Sequence, residues 1–539
     1  MSITAITIEN FKGIKGPLRV EIKPITLLFG PNSAGKSTIV QALHYASEIF
    51  DQENFSPDRT IAGGDSVDLG GFQNLVHNHD LSLPLRLRFD LSYRLIGTYK
   101  CAPIFFYKGN LEFDPEAAHV HSFYHKHAMD GILKFWLEIT VRWSSFLDKP
   151  FISSSKTGFG EKLFAEITDN EDGQSQKLCF LDLKSPIFAT EEGDSIVHLL
   201  GPLIIEDEEN NILNLNVTCA MPPRKDFILC YFPQYDMVPQ DATRVDKLNS
   251  FGDMLACLLS FPVRYLKQQL DEFRYIGPLR KVPRRGYTPQ LTASLSRWFD
   301  GLAGWDELYK ANSSFVIKVN NWLLKMKIGY SVEIRQYKEV DLASPFALAF
   351  LQDSHTDEEL DLRHQYASLP VKRRLLLREA RGIEVSPADI GVGISQVLPV
   401  IVLALTYREE GILAIEQPEL HIHPALQVAL GDLFIEEINC DKKIDQYGRH
   451  YKRDFFEGKI FLLETHSEHL LLRFLRRIRE TAEQKTPENL RLTPADLSIN
   501  FIEQGENGIT CVPIRVDEDG EFIDKWPHGF FGERAGELF

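Results

Sequence analysis

Ile25-Thr26-Leu27-Leu28-Phe29-Gly30-Pro31-Asn32-Ser33-Ala34-Gly35-Lys36-Ser37-Thr38 is the stretch on which the fold turns. Its apolar opening reads as a short buried strand, and Gly30-Pro31 ends it. Ile39 to Phe50 follows with helical spacing. Gly30 to Thr38 fits G-x-x-x-x-G-K-[ST], in the strand-then-helix setting that gives this pattern its meaning. Phosphates are polyanions. The turn glycines let several backbone N–H groups point inward, and the helix N-terminus adds a positive dipole. Lys36, predicted to stand exposed on the loop, supplies a charge for the β- and γ-phosphates, and Ser37 offers a hydroxyl to Mg2+. Gly30, Pro31, Asn32, Ser33, Ala34, Gly35, Lys36, Ser37 and Thr38 are therefore the candidate cradle for ATP.

The partners of such a loop are sought further along the chain. Ile412-Leu413-Ala414-Ile415 reads as a buried strand ending in Glu416, the layout of a Walker B strand. It is predicted to lie beside the P-loop strand and to aim Glu416 at Mg2+. Gln417 follows; an amide can orient a water but cannot take its proton, so Glu419 is a candidate base in its place. Phe461-Leu462-Leu463-Glu464-Thr465-His466-Ser467 is a second apolar strand, with His466 placed to hydrogen-bond a γ-phosphate. Asp389-Ile390-Gly391-Val392-Gly393-Ile394-Ser395-Gln396 puts glycines and a serine at the start of a helix predicted over Ser395 to Tyr407. Pro399 falls in the first turn of that helix, where a missing N–H does little harm. Two phosphate-seeking segments so far apart in sequence suggest a head-to-tail dimer. Each ATP would be clamped between one subunit's P-loop and the Gly-Ser helix of the other.

Composition narrows the function classes. The chain has 539 residues, which at ~100–200 per domain suggests about three to five structural units. Hydrophobic residues make up 44% and charged residues 25%, which excludes a largely disordered chain. The formal net charge of -17 argues against non-specific coating of DNA by the whole surface. Nucleic acid contact would need local basic patches; Arg473, Arg476 and Arg477, or Lys372, Arg373 and Arg374, are the candidates. The seven cysteines are scattered with no C-x-x-C pair, as expected of reduced thiols in a cytoplasmic protein. No signal peptide or membrane span is read, and the longest apolar run, Val397 to Thr406, is far short of the ~20 residues a bilayer needs.

An N-terminal half of the ATPase core is read over 1–95 and an insertion of partly β character over 96–270. A helical lobe follows over 271–390, with helices near 291–325 and 357–380. The second half of the core occupies 391–512, and a terminal segment 513–539. His119, His121, His125 and His127 fall in the insertion without a carboxylate or cysteine among them, and read as solvated loop histidines rather than a metal site. The fold class is thus α/β, a P-loop NTPase with a large insertion between its two halves.

The order of P-loop, Gly-Ser helix, Glu416 to Pro424 (E-Q-P-E-L-H-I-H-P) and Glu464 to Ser467 (E-T-H-S) resembles the ABC-type ATPases of the SMC, RecF and OLD-like group. Ile6-Thr7-Ile8-Glu9-Asn10-Phe11-Lys12-Gly13 is similar to that group's first strand. Asp519 to Phe522 and Trp526 to Phe531 resemble the C-terminal signature of the DUF3696 ATPases. The resemblance implies Gly393, Ser395 and Gln396 as the signature, His423 near the dimer-facing loop, His466 as the switch, and Gln73 as a Q-loop ligand of the metal. ATP and Mg2+ are the implied cofactors, and a homodimer or higher homo-oligomer the implied assembly. Stand-alone ATPases resembling this one occur in Septu-type and retron-associated antiphage systems, beside a separate HNH nuclease subunit. No clustered carboxylates of a metal-dependent nuclease follow His466, so cleavage is expected of such a partner rather than of this chain. The alternatives are a RecF-like or SMC-like ATPase of DNA repair that binds DNA ends, and a non-hydrolysing ATP-binding scaffold.

Overall fold

A computed structural model describes residues 2–52, 69–94, 132–169, 176–182, 258–287, 295–344, 366–406, 411–439, 458–506 and 508–529, with a few isolated positions between them. The histidines at 119–127 lie outside the described residues. In chain order the first elements are β1 (Ser2–Glu9), β2 (Leu18–Glu21), β3 (Ile25–Phe29), α1 (Lys36–Gln52), the one-turn α2 (Phe72–Leu75) and β4 (Leu85–Arg94). Next come β5 (Ile132–Ser144), β6 (Lys149–Phe159), β7 (Lys162–Asp169), β8 (Gln176–Leu181), β9 (Leu215–Asn216), a helix α3 running through 258–271, and β10 (Arg274–Ile276). Then follow α4 (Leu295–Phe299), α5 (Leu302–Lys310), α6 (Ser313–Lys325), β11 (Tyr330–Tyr337), β12 (Lys372–Glu379), β13 (Glu384–Val385) and α7 (Val392–Leu405). The chain continues with β14 (Gly411–Glu416), α8 (Pro424–Asn439), β15 (Lys459–Glu464), α9 (Glu468–Ala482), β16 (Leu497–Gly505) and β17 (Gly508–Ile514).

The chain divides into two compact units. The first takes Met1–Tyr275, Tyr407–Gln417 and Phe434–Phe539. It holds a six-stranded sheet in the order β10-β14-β15-β3-β16-β17, in which β14, β15, β3 and β16 run parallel. Parallel strands are buried on both faces and so read as unbroken apolar runs. Every residue of β3 and of β14 is buried, as their sequences predict. The P-loop strand β3 is flanked by β15 and β16, not by β14. This corrects the predicted neighbour: β14 and β15 follow one another through a helical crossover and pair directly, so β15 takes the place beside β3. α1 is buried nearly all round: from Lys36 to Phe50 only Ser37 and Gln41 keep partial exposure.

The same unit holds an eight-stranded antiparallel sheet, β2-β1-β4-β5-β6-β7-β8-β9. β5 pairs along β4 from Leu85 opposite Val141 to Arg94 opposite Ile132. The described strands of the insertion therefore continue the sheet that the N-terminal strands begin.

The second unit takes Ile276–Thr406 and Pro418–Leu433. It carries α4 to α7 and a three-stranded antiparallel sheet, β11-β12-β13. Residues 372–379 are thus a strand and not part of a helix. Lys372-Arg373-Arg374-Leu375-Leu376-Leu377-Arg378-Glu379 is rich in good helix formers, but pairing with β11 along its whole length and burial of Leu376 and Leu377 override that preference. The helix predicted from Ser395 begins at Val392, which moves Pro399 from the first turn to the interior. There the missing N–H deprives the Ser395 carbonyl of its helical donor. The proline packs where Gly304 of α5 leaves room: a Cβ on Gly304 would stand 2.9 Å from the Pro399 Cα. All residues from Ser395 to Leu405 are buried.

Candidate nucleotide site

The loop from Gly30 to Gly35 leaves β3 and enters α1 with Lys36 as the first helical residue. Gly30 has φ 143 and Gly35 φ 98, both in the region that side chains avoid. A Cβ at Gly30 would collide with the Ile502 carbonyl of β16, and one at Gly35 with the Ile509 side chain of β17. Both glycines of the pattern are therefore required by close packing as well as by the turn. Ser33 also takes a positive φ of 63.

Lys36 is only 3% exposed, which corrects the prediction of a loop lysine standing free. Its Nζ donates to the carbonyls of Gly30 at 3.0 Å and Pro31 at 2.8 Å, and lies 4.0 Å from Glu464 Oε1. The ammonium folds back onto the carbonyls of its own loop. Ser37 Oγ donates to Glu464 Oε2 at 2.7 Å. Burial raises the Glu464 carboxyl above its ordinary value, against the opposing pull of the Ser37 hydrogen bond and the Lys36 charge.

Glu464 and Tyr275 are the two residues of this site that the sequence did not single out. Glu464 is in register with Glu416 across β14 and β15 and with Leu28 across β15 and β3. Its carbonyl accepts the Gln417 N–H at 2.7 Å, which fixes Gln417 in a left-handed turn of φ 45. The Glu416 carboxylate accepts a hydrogen bond from the Tyr275 hydroxyl of β10. Burial and then the charge of Glu416 push the Tyr275 phenol well above its ordinary value, so it stays a donor. Glu464 could have been suspected from its place at a strand end two residues before His466. Nothing in the sequence near Tyr275 points to Glu416.

His466 is half-buried in the turn between β15 and α9, whose N-cap is Ser467, accepting from Leu470 N at 2.9 Å. Burial, and then the Lys36 charge, lower its pKa below the usual value. Gln73 is exposed on α2, and its carbonyl meets His79 Nδ1 at 3.2 Å; no hydrogen bond joins its side chain to the P-loop.

In the second unit, Gly391 and not Ser395 caps α7. Ser395 is 1% exposed and its Oγ donates to the Val392 carbonyl at 2.8 Å. Gln396 is buried and brackets the Arg280 backbone, accepting from its N–H at 3.1 Å and donating to its carbonyl at 2.8 Å. A Cβ on Gly393 would stand 2.9 Å from the His421 carbonyl. The start of α7 instead exposes Gly391 and Val392, the latter by 60%. Glu419 is half-buried in the turn that precedes exposed His423, whose Nδ1 accepts from Ala425 N at 3.2 Å at the start of α8.

Several members of the two basic runs have partners within the chain. Arg476 and Arg477 both pair with Glu480, Lys372 pairs with Glu339, and Arg373 donates to the carbonyls of Tyr309 and Lys310. Among the described residues no cluster of three or more His, Cys, Asp or Glu is placed to hold a metal. Mg2+ does not need one: it is commonly held by one or two protein oxygens with phosphates and water. Ser37 and Glu464, two oxygen ligands in contact at the end of a phosphate-type loop, fit that ion. No helix among the described residues is long and apolar enough to cross a membrane.

Residues 1–199 match the family described as AAA ATPase domain. Residues 320–473 match "AAA domain, putative AbiEii toxin, Type IV TA system", and residues 492–539 match "Protein of unknown function (DUF3696)". No curated protein matches the chain. Among solved structures, the SMC head domain from Thermotoga maritima aligns at 7% identity and TM-score 0.35, covering 96% of this chain and 100% of that one. The Smc head domain with an extended coiled coil bound to the C-terminal domain of ScpA, from Pyrococcus furiosus, aligns at 10% identity and TM-score 0.34, covering 95% and 96%. The fold is the mixed α/β fold of a P-loop NTPase, and two of its segments are similar to AAA domains.

Proposed function

We propose that this protein is a Mg2+-dependent ATPase whose nucleotide site is completed by a second copy, and that its ATP-bound state controls a separate effector. The observation that carries the nucleotide reading is the P-loop itself. Lys36 rests on the Gly30 and Pro31 carbonyls, and Ser37 on Glu464, with the loop amides at the start of a buried helix. Entry of a polyphosphate would offer Lys36 a better acceptor than two neutral carbonyls, because hydrogen bonds between ionised groups are about twice as strong. Bound Mg2+ would neutralise charge on the β- and γ-phosphates. Glu416 and Glu464 supply the carboxylates of the sheet edge, and neutral His466 a hydrogen-bonding partner for the outermost phosphate. Gln417 orients a water, and Glu419 is the candidate base.

Assembly through ATP is the reading that gives the start of α7 a role: a helix N-terminus with exposed Gly391 and Val392 is an anion-seeking surface. The effector part rests on the resemblance to ATPases that stand beside an HNH nuclease in antiphage systems. It is supported by a match to a family whose description names an AbiEii toxin and a Type IV TA system. With ATP and Mg2+ the purified chain should release phosphate slowly and shift to a larger species in light scattering. A chain that neither turns over nor changes mass would overturn the proposal. Gln417 favours a second reading, an ATP-binding scaffold, in which the mass shift occurs without phosphate release.

A further inference from the structure

The geometry points to Glu464 as a carboxylate ligand of the Mg2+ site, meeting the ion together with Ser37. This rests on the nucleotide-binding reading above and gives one of its two carboxylates a defined role. Three parallel strands end side by side at one edge of the sheet: β14 at Glu416, β15 at Glu464 and β3 at the P-loop. Glu464 stands on the strand next to the loop, whereas Glu416 stands one strand further away. The two carboxylates also face different partners. Glu416 accepts from Tyr275 of β10, which lies on the side of β14 away from β15. Glu464 holds the hydroxyl of Ser37, the side chain that a P-loop offers to the metal.

The spacing suits the ion. Adjacent ligands of an octahedral Mg2+, each at about 2.0–2.1 Å, stand about 3 Å apart. Ser37 Oγ and Glu464 Oε2 already stand 2.7 Å apart. Replacing the proton between them by the cation therefore needs a separation of only a few tenths of an ångström, with no strand or helix displaced. Lys36, 4.0 Å from the other carboxylate oxygen, is released toward phosphate by the same exchange. Glu464 and the loop are thus two halves of one switch: the carboxylate holds Ser37 before nucleotide arrives and holds the ion afterwards. Gln417, whose N–H is fixed by the Glu464 carbonyl, adds no charge at this edge, so Glu464 is the second carboxylate there beside Glu416.

The test is a Mg2+ titration of nucleotide affinity on the full chain, using a fluorescent ATP analogue, with Mn2+ binding followed by electron paramagnetic resonance. Glu464→Gln should raise the Mg2+ concentration for half-maximal effect by about 10–100-fold, the usual loss for a disturbed metal shell. Its affinity in EDTA should stay close to that of the wild type, and Glu416→Gln should shift the Mg2+ midpoint less. Glu464→Asp, which keeps the charge on a shorter arm, should fall between wild type and the Gln variant, and keeps the test open if Glu464→Gln does not fold. A wild-type Mg2+ midpoint and Mn2+ signal in the Gln or the Asp variant would overturn the assignment. Lys36→Ala separates the two levels. If it binds nucleotide as the wild type does, the nucleotide site falls and Glu464 with it. If it loses binding while the Glu464 variants keep normal Mg2+ dependence, Glu464 alone is excluded.

Discussion

The phenol of Tyr275 donates to the carboxylate of Glu416, joining β10 to the end of β14 across 141 positions of sequence. Both groups are buried, and the tyrosine stays protonated because burial and the neighbouring carboxylate hold its pKa high. Tyr275→Phe keeps the ring and removes the donor. A buried acceptor that loses a partner costs about 1–3 kcal/mol, so the variant should be less stable by that amount, read as a lower urea midpoint. An unchanged midpoint would show that the hydroxyl contributes nothing to holding Glu416.

If His466 meets the phosphates as proposed, nucleotide binding should carry a pH dependence whose sign follows from the surroundings of the ring. In the free protein burial and Lys36 keep the imidazole pKa low, so the ring is neutral near pH 7. A polyphosphate beside it favours the cationic form, and binding then takes up a proton. ATP affinity should rise as pH falls toward the lowered pKa of the free imidazole, and His466→Gln should flatten that slope. A slope that survives in the variant would assign the proton to another group.

Turnover should be slow, because Gln417 cannot accept a proton. General-base assistance is typically worth about 10²–10⁴-fold, and if Glu419 supplies it, Glu419→Gln should lose much of that range. Phosphate release at the wild-type rate by that variant would remove Glu419 from the chemistry.

Completion of the site by a second copy can be tested by mixing. Ser395 is a poor place for a blocking substitution, since a large side chain there would be forced into the core. Val392, exposed at the start of α7, is a better one: Val392→Glu puts a negative charge where a partner's phosphate would sit. In a mixed dimer of Lys36→Ala and Val392→Glu subunits both defects fall on one composite site and the other is intact. Partial activity should return on mixing. Mixed dimers that form and stay inactive would argue against sites shared in this way, and a Lys36→Ala/wild-type dimer would show whether one intact site suffices.

The parts of this molecule that were legible in the sequence are those where local pattern and tertiary role agree. The apolar runs of β3, β14 and β15 read as doubly buried strands, and Gly30 and Gly35 announce the loop by their spacing. What was not legible depends on contacts between distant segments. No local signal says that β15 rather than β14 lies beside β3, and so none pointed to the contact between Ser37 and Glu464. Lys36 was expected in solvent because its role is to meet phosphate, yet in the structure the carbonyls of its own loop draw it inward. β12 was misread because helix propensity is local and its strand partner β11 is not. The start of α7 was misplaced by three residues because Ser395 is a good cap by type, whereas Gly391 caps the helix and turns Ser395 inward.

The central claim is that the loop from Gly30 to Thr38 binds the phosphates of ATP through Lys36. Isothermal titration of ATP in Mg2+ into the wild type and into Lys36→Ala, each first shown to be folded by its thermal transition, measures this directly. Hydrogen bonds to a charged group contribute roughly 1.5–3 kcal/mol, so affinity should fall by about 10–100-fold in the variant. Equal affinity in the two proteins would contradict the account.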